Sequence, residues 1–261
     1  MIHGNGGTAA RFDPFRPLLE RDPAAGHIAL HTPDLPGFGN ELLPNDRRDW
    51  GIFLEAIEKE VADSADAEWL LYGHGSGASL LLELARRQWE LPQGTILKSQ
   101  KILLHGCVGA RLKHRRLSKV LQPQPVRFAI KTLVGFSLMR PLWERELFLY
   151  PDAVPPEAMD RFFKDYRSAK GFIPVTNLLT RFWYESVLQE AAAYPFHFWW
   201  GDGEPTGAGT FWEFWQRDFP NAQIEIIPGW DHFVMLDQAP SFYQKIMEFA
   251  TFTGQGQTSL P

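Results

Sequence analysis

Cysteine is almost missing from this chain of 261 residues. Cys107 stands alone, so no disulfide can form within it, which fits a reducing, cytoplasmic setting. Long apolar runs are missing as well. The longest, Thr132 to Met139, falls far short of the roughly 20 residues a membrane-spanning helix needs. There is no excess of positive charge: at a net −5, nucleic acid is not an expected partner. Neither metal-ligand spacing nor a dinucleotide fingerprint occurs, so no metal and no cofactor is expected. The chain opens on a glycine-rich loop and not on the charged and apolar stretches of a signal peptide.

What is present is an ordinary globular composition, 44% hydrophobic and 22% charged, sized for one domain with a large insertion or for two small domains. Aromatics stand out, with 10 Trp and 20 Phe. That density implies either an aromatic core alone or a core together with an apolar pocket. One segment departs from the acidic balance. Arg111, Lys113, Arg115, Arg116 and Lys119 fall within nine residues that contain no acid. A solvated face is the plain reading of such a run; an anionic ligand or an anionic membrane surface is the sharper one.

The first half alternates short apolar runs with helical patterns, which predicts βαβ units and a parallel sheet. Strands are expected at His27–His31, Trp69–His74 and Lys101–Cys107. Helices are expected at Arg48–Ala62, with Ile52, Leu54, Ile57 and Val61 near one face, and at Ser76–Gln88. From Ala110 to Ala193 the pattern turns helical and is broken repeatedly by proline. Helices are expected at Val126–Met139, Pro156–Ser168 and Val175–Ala192, and the aromatic-rich segment reads as a lid over the sheet. Alternation resumes with strands at Phe196–Gly201 and Gln223–Ile227 and helices at Thr210–Asp218 and Ala239–Phe252. The domain reading is therefore a core of residues 1–109 and 194–253, a lid of 110–193 and a flexible tail of 254–261.

In a parallel sheet, segments that follow strands meet at one edge. Three carry chemistry. His3-Gly4-Asn5-Gly6-Gly7 is a glycine-rich loop whose backbone N–H groups can approach a developing oxyanion. Gly73-His74-Gly75-Ser76-Gly77 sits between a strand and a helix, with small residues around a tight tip. Gly201-Asp202-Gly203-Glu204 and Gly229-Trp230-Asp231-His232 follow the last two strands. A carboxylate there can orient His232 and leave its other nitrogen as a base.

These motifs, in this order, resemble the α/β-hydrolase superfamily over essentially the whole chain, with Asp34-Leu35-Pro36-Gly37-Phe38-Gly39 in its expected place. The resemblance implies an α/β fold with a mostly parallel sheet, helices on both faces and a helical lid. It implies that Gly4, Asn5 and the Ser76 amide form an oxyanion hole, that Glu204 is the acid with Asp202 as the alternative, and that His232 is the catalytic histidine. Two departures stand out. Glycine, Gly75, occupies the nucleophile position, and the family's first strands do not occur in this sequence; unless a truncated or misassigned start accounts for them, His27–His31 would be an exposed edge that needs cover.

Several readings follow from Gly75. Ser76 could act as nucleophile from the next position, or simply start the helix. A water in the vacated space could be deprotonated by His232 for attack on an ester, thioester or amide of a small apolar substrate. Alternatively the protein is a non-catalytic hydrolase-fold protein that binds an apolar carbonyl or carboxylate ligand, or the His–Glu pair does proton-abstraction or lyase work. His74 is expected to pack or hydrogen-bond beneath the tip, Asp231 to be a turn residue, His105 to be a satisfied core histidine, and Cys107 to line the pocket as a small buried hydrophobe or, less simply, a thiolate nucleophile.

Overall fold

The computed structural model describes residues 1–62, 68–89, 101–108, 124–204 and 212–251. The basic run and the tail lie outside these residues. Four strands form one parallel sheet in chain order: β1 (Leu70–His74), β2 (Lys101–His105), β3 (His197–Gly201) and β4 (Gln223–Ile227). Their register is nearly flush. His74 pairs with His105, His105 with Trp199, and Gly201 with Ile227. The loops that leave the strands therefore emerge together at the carboxyl edge, where an open parallel sheet builds its ligand sites.

Ile2 docks on the other side of β1. Its N–H donates to the Tyr72 carbonyl at 2.7 Å and its own carbonyl accepts from His74 N–H at 3.0 Å. This bridge sets the glycine-rich loop beside the turn after β1. It is also too short to template a neighbour, and the expected strand at His27–His31 is a correction: the segment is irregular. Ile28 and Leu30 are half-buried and Ala29 between them is exposed, so the alternation that suggests a strand is present over Ile28–Leu30. A strand also needs a ladder partner, and Ile2 supplies a single bridge.

Helices cover both faces. α1 (Arg16–Arg21) and α2 (Trp50–Ala62) precede β1, and Ile52, Leu54, Ile57 and Val61 of α2 are all buried as their spacing predicts. α3 (Ser76–Trp89) follows β1 at once and buries Leu80, Leu81, Leu82 and Leu84. Between β2 and β3 the described residues contain helices and no strand: α4 (Gln124–Gly135), α5 (Arg140–Leu147), α6 (Pro156–Ser168), α7 (Phe172–Leu178) and α8 (Arg181–Ala191). α9 (Trp212–Asp218), the short α10 (Val234–Asp237) and α11 (Ala239–Thr251) complete the chain.

The helical insert differs from the sequence pattern in three places. The helix expected over Val126–Met139 ends at Gly135, because Phe136 is extended and Ser137–Met139 forms a separate 3-10 turn. α5 was hidden because its apolar positions are half-exposed and carry no clear period. The single helix expected over Val175–Ala192 is two, because Thr180 Oγ1 accepts from Trp183 N–H at 3.1 Å and starts α8 afresh. The insert is fastened to the core through Glu83 of α3. This buried carboxylate takes donors from Arg86 Nε at 2.7 Å, Arg87 Nε at 2.8 Å and Trp183 Nε1 of α8 at 3.0 Å. With both oxygens covered, the charge is tolerable in the interior.

Candidate active site

The turn from β1 into α3 is built by glycines, each for its own reason. Gly75 sits at the tip with φ +56°, a conformation that only glycine adopts without strain. Its N–H donates to the His105 carbonyl at 2.8 Å, which ties the tip to β2. A Cβ on Gly73 would stand 2.7 Å from the Ala78 backbone, and one on Gly77 would stand 2.6 Å from the Ile2 and His3 carbonyls. Both must lack side chains for α3 to start so close to the sheet. Ser76 is buried and its N–H belongs to the first turn of α3, where amides have no intrahelical acceptor and the helix dipole favours negative charge. Ser76 makes no hydrogen bond to His232 among the described residues.

The glycine-rich loop is held by its first residue. His3 Nε2 accepts from Leu35 N–H at 3.0 Å, so the ring proton sits on Nδ1 and is donated to the Gly4 carbonyl at 3.0 Å. Burial pushes the His3 pKa down to about 4, which keeps this tautomer neutral. The same carbonyl accepts from Gly7 N–H at 3.1 Å. In a trans peptide the N–H points opposite its C=O, so pinning the Gly4 carbonyl turns the Asn5 N–H away from His3 and Gly7. Gly4 Cα lies 3.8 Å from where a Cβ on Gly75 would stand, so loop and turn are in contact.

His232 arrives from the loop after β4. Its Nε2 is 3.5 Å from that same Cβ position on Gly75, and its Nδ1 is 3.4 Å from Glu204 Oε2. Glu204 is almost wholly buried and His232 mostly so. The 3.4 Å separation is longer than an ordinary N–H···O bond, as is common in catalytic pairs without substrate. The His232 carbonyl accepts from His74 Nε2 at 2.7 Å. Burial, then the neighbouring His232 and His105, hold the His74 pKa well below its ordinary value, so His74 is a neutral donor that fixes the loop.

The alternative acid, Asp202, is exposed and directed elsewhere. Its Oδ1 accepts from Gly229 N–H at 2.7 Å and ties the acid loop to the histidine loop. Cys107 is buried beside Ser79 Oγ at 3.9 Å, and burial pushes its thiol pKa far up, so it packs as a small apolar side chain and not as a thiolate. His105 corrects an expectation in part. Nδ1 lies 2.7 Å from Tyr72 Oη, but Nε2 has no hydrogen-bond partner among the described residues, and burial lowers the His105 pKa to about 4.

Sequence reasoning missed Gly106, the residue after β2. It has φ +58°, and a Cβ there would stand 2.6 Å from His232 Cε1, 2.7 Å from Nδ1 and 3.3 Å from Glu204 Oε1. The His–Glu pair lies directly against its bare backbone. A glycine next to the last residue of the predicted strand Lys101–Cys107 was the available signal; the strand itself ends at His105.

It also missed how firmly the loop is bonded to the insert. Asn5 Nδ2 donates to the Phe172 carbonyl at 3.1 Å and to Thr176 Oγ1 at 2.8 Å. Thr8 Oγ1 donates to Asp165 Oδ2 at 2.7 Å, and Gly6 lies against the Tyr166 ring where a Cβ would collide. Helices α6 and α7 thus form one wall of the loop.

Behind His232, Asp231 is more than a turn residue. Its Oδ1 accepts from Phe233 N–H at 2.7 Å, and its Oδ2 accepts from Leu149 N–H of the insert at 2.6 Å. Asp237 Oδ2 accepts from Tyr150 N–H at 3.2 Å, and its carboxyl meets that of Asp231. Asp237 Oδ1 has no N–H or hydroxyl donor, so a proton held between the two acids satisfies both. Burial first, then the Asp231 charge, pushes the Asp237 pKa up to about 8. A carboxyl with a raised folded pKa binds its proton more tightly when folded, so its stabilisation is complete at low pH and is lost as pH rises through about 8. The wild type should therefore lose more melting temperature than Asp237→Asn between about pH 6 and about pH 9, as read by thermal unfolding. Parallel pH profiles for the two would overturn the shared proton.

The sequence model described as "Alpha/beta hydrolase family" matches residues 1–244. None of the curated proteins matches this sequence. Among solved structures, a bromoperoxidase from Bacillus anthracis is similar with a TM-score of 0.70 at 16% identity, covering 95% of this chain and 90% of the other. A putative lipase from Acinetobacter baumannii is similar with a TM-score of 0.69 at 17% identity, covering 95% and 81%. MenH from S. aureus is similar with a TM-score of 0.66 at 14% identity, covering 95% and 91%.

Proposed function

From the premise that this chain belongs to the alpha/beta hydrolase family, we propose that it hydrolyses an ester, thioester or amide of a small apolar substrate, with water as the nucleophile and His232 as the base. The observation that carries this reading is the position of His232 Nε2, 3.5 Å from where a side chain on Gly75 would begin. A water in that space would meet the imidazole on one side and the carbonyl of a bound substrate on the other. Glu204 orients His232 and stabilises the imidazolium as the proton moves. In this reading the Asn5 and Ser76 N–H groups receive the negative charge that develops on the carbonyl oxygen.

Magnitudes leave room for such chemistry. General-base catalysis contributes typically ~10²–10⁴-fold, and one oxyanion donor ~10²–10³-fold. Serine hydrolases stripped of the triad still retain roughly 10³–10⁴ over water. The enzyme is therefore expected to be slow, or to act on an activated acyl group. Ser76 is the second nucleophile of the proposal; water is favoured because Ser76 Oγ makes no hydrogen bond to His232. The solved structures of similar fold include proteins described as a lipase, a bromoperoxidase and epoxide hydrolases, which favours small-molecule chemistry without choosing a substrate. The helical insert is read as the lid over this cleft.

The test is turnover of 4-nitrophenyl acetate. His232→Ala should reduce it to the buffer rate, while Ser76→Ala should keep most of it. A rate unchanged by His232→Ala would favour the second reading, a non-catalytic protein that holds an apolar carbonyl or carboxylate ligand. Gly75 itself is the observation behind that alternative.

A further inference from the structure

Arg11 lies in the 3-10 turn Ala9–Phe12, directly after the glycine-rich loop, and is almost fully buried. Burial lowers its pKa to about 10, so it remains a cation at neutral pH. No acid among the described residues forms an ion pair with it. Asp165, whose charge it feels, is engaged by Thr8. The guanidinium instead stacks 3.7 Å from the centroid of Phe162 of α6, with the ring of Phe233, the residue after His232, at 5.0 Å. A buried cation with no carboxylate in direct contact is costly, and aromatic faces offset only part of that cost.

Among the described residues Arg11 makes one hydrogen bond, and it acts two peptides away. Arg11 Nη2 donates to the Gly6 carbonyl at 3.3 Å. The other end of that peptide is Gly7 N–H, which donates to the Gly4 carbonyl at 3.1 Å. The other end of that next peptide is Asn5 N–H. The three groups form a head-to-tail chain of dipoles with a positive charge at its start. Each bond in such a chain polarises the next, and a low-dielectric interior screens the charge weakly.

We infer that Arg11 is a positioning residue for the oxyanion hole, holding and polarising the Asn5 N–H through the Gly6–Gly7 and Gly4–Asn5 peptides. The inference rests on the hydrolase reading for its catalytic consequence, but not for its physical content. It gives a function to a buried arginine that has no ion pair among the described residues.

Two variants separate charge from hydrogen bonding. Arg11→Lys keeps the charge; Arg11→Gln keeps a donor for the Gly6 carbonyl and removes the charge. With 4-nitrophenyl acetate, Arg11→Gln should lower kcat about tenfold, weakening but not deleting an oxyanion donor, with KM nearly constant. Arg11→Lys should stay within about threefold of wild type. In parallel, the Asn5 amide proton should move upfield in the NMR spectrum of Arg11→Gln and stay in place in Arg11→Lys. The amide resonance reports polarisation even if the wild type proves not to hydrolyse the ester, so failure of the hydrolase reading and failure of this inference are distinguishable. Should Arg11→Gln not fold, the lysine variant decides alone: a tenfold loss or a shifted Asn5 amide there overturns the inference. So does a folded Arg11→Gln with kcat and the Asn5 resonance both unchanged.

Discussion

Placing serine at position 75 should convert a slow catalyst into a recognisable esterase. The framework accepts the change sterically. A Cβ at this site meets nothing nearer than His232 Nε2 at 3.5 Å, and Oγ lies one bond further out, within hydrogen-bond reach of that nitrogen. The backbone, at φ +56°, already has the left-handed conformation of a nucleophile elbow. A residue with a Cβ in that conformation costs roughly 1–2 kcal/mol, so a modest fall in melting temperature is expected. Losing the nucleophile from a serine hydrolase costs about 10⁶ in turnover. A site not refined around a serine should regain only part of it, and we expect Gly75→Ser to raise kcat for a 4-nitrophenyl ester by at least ~10²-fold. Two further signs should accompany the gain: a pre-steady-state burst, and stoichiometric labelling of residue 75 by a fluorophosphonate. A folded Gly75→Ser that stays at the wild-type rate would mean that His232 and the oxyanion donors are not competent. The hydrolytic reading would then give way to ligand binding.

The second large effect is expected at Gly106, which touches no substrate in the proposed reaction. A methyl group there would stand 2.6 Å from His232 Cε1 and 2.7 Å from Nδ1, inside any tolerable contact, and φ +58° adds backbone strain. The imidazole is the movable partner, so Gly106→Ala should push it off Glu204 and away from the tip. Overpacking and strain together cost about 2–5 kcal/mol. Turnover of 4-nitrophenyl acetate should fall as far as it does in His232→Ala, in protein that circular dichroism still reports as folded. Activity that survives Gly106→Ala within about threefold would count against His232, held by Glu204, as the base.

How much of this was legible in the sequence depends on what kind of constraint each residue obeys. The strand–helix alternation, the buried face of α2 and the strand at Gln223–Ile227 follow from periodicity, which is a local property. His27–His31 has the right alternation and yet forms no strand, since its pairing depends on how much of the Met1–His3 segment lies alongside. α8 begins afresh at Thr180 because one hydroxyl reaches one amide, a short-range signal that a continuous helical pattern masks. At the site, the motif order assembles Gly4, Asn5, Gly75, Ser76, Glu204 and His232 by chain position alone. The sequence already ranks Glu204 ahead of Asp202, but only coordinates show that the loop sends Glu204 to His232 and Asp202 to Gly229 N–H.

The sequence by itself determined the parallel sheet, the order of its loops and the bareness of position 75, because strand period, turn glycines and a missing side chain are written residue by residue. Only the tertiary structure decided that Gly106 must be bare for His232 to meet Glu204. It also decided that the Asp231 and Asp237 carboxyls meet behind His232, and that the charge of Arg11 lies at the head of a hydrogen-bonded chain leading to Asn5. Those three depend on close approach between segments far apart in the chain. Contact distances, the local dielectric and peptide orientation exist only once the chain has packed.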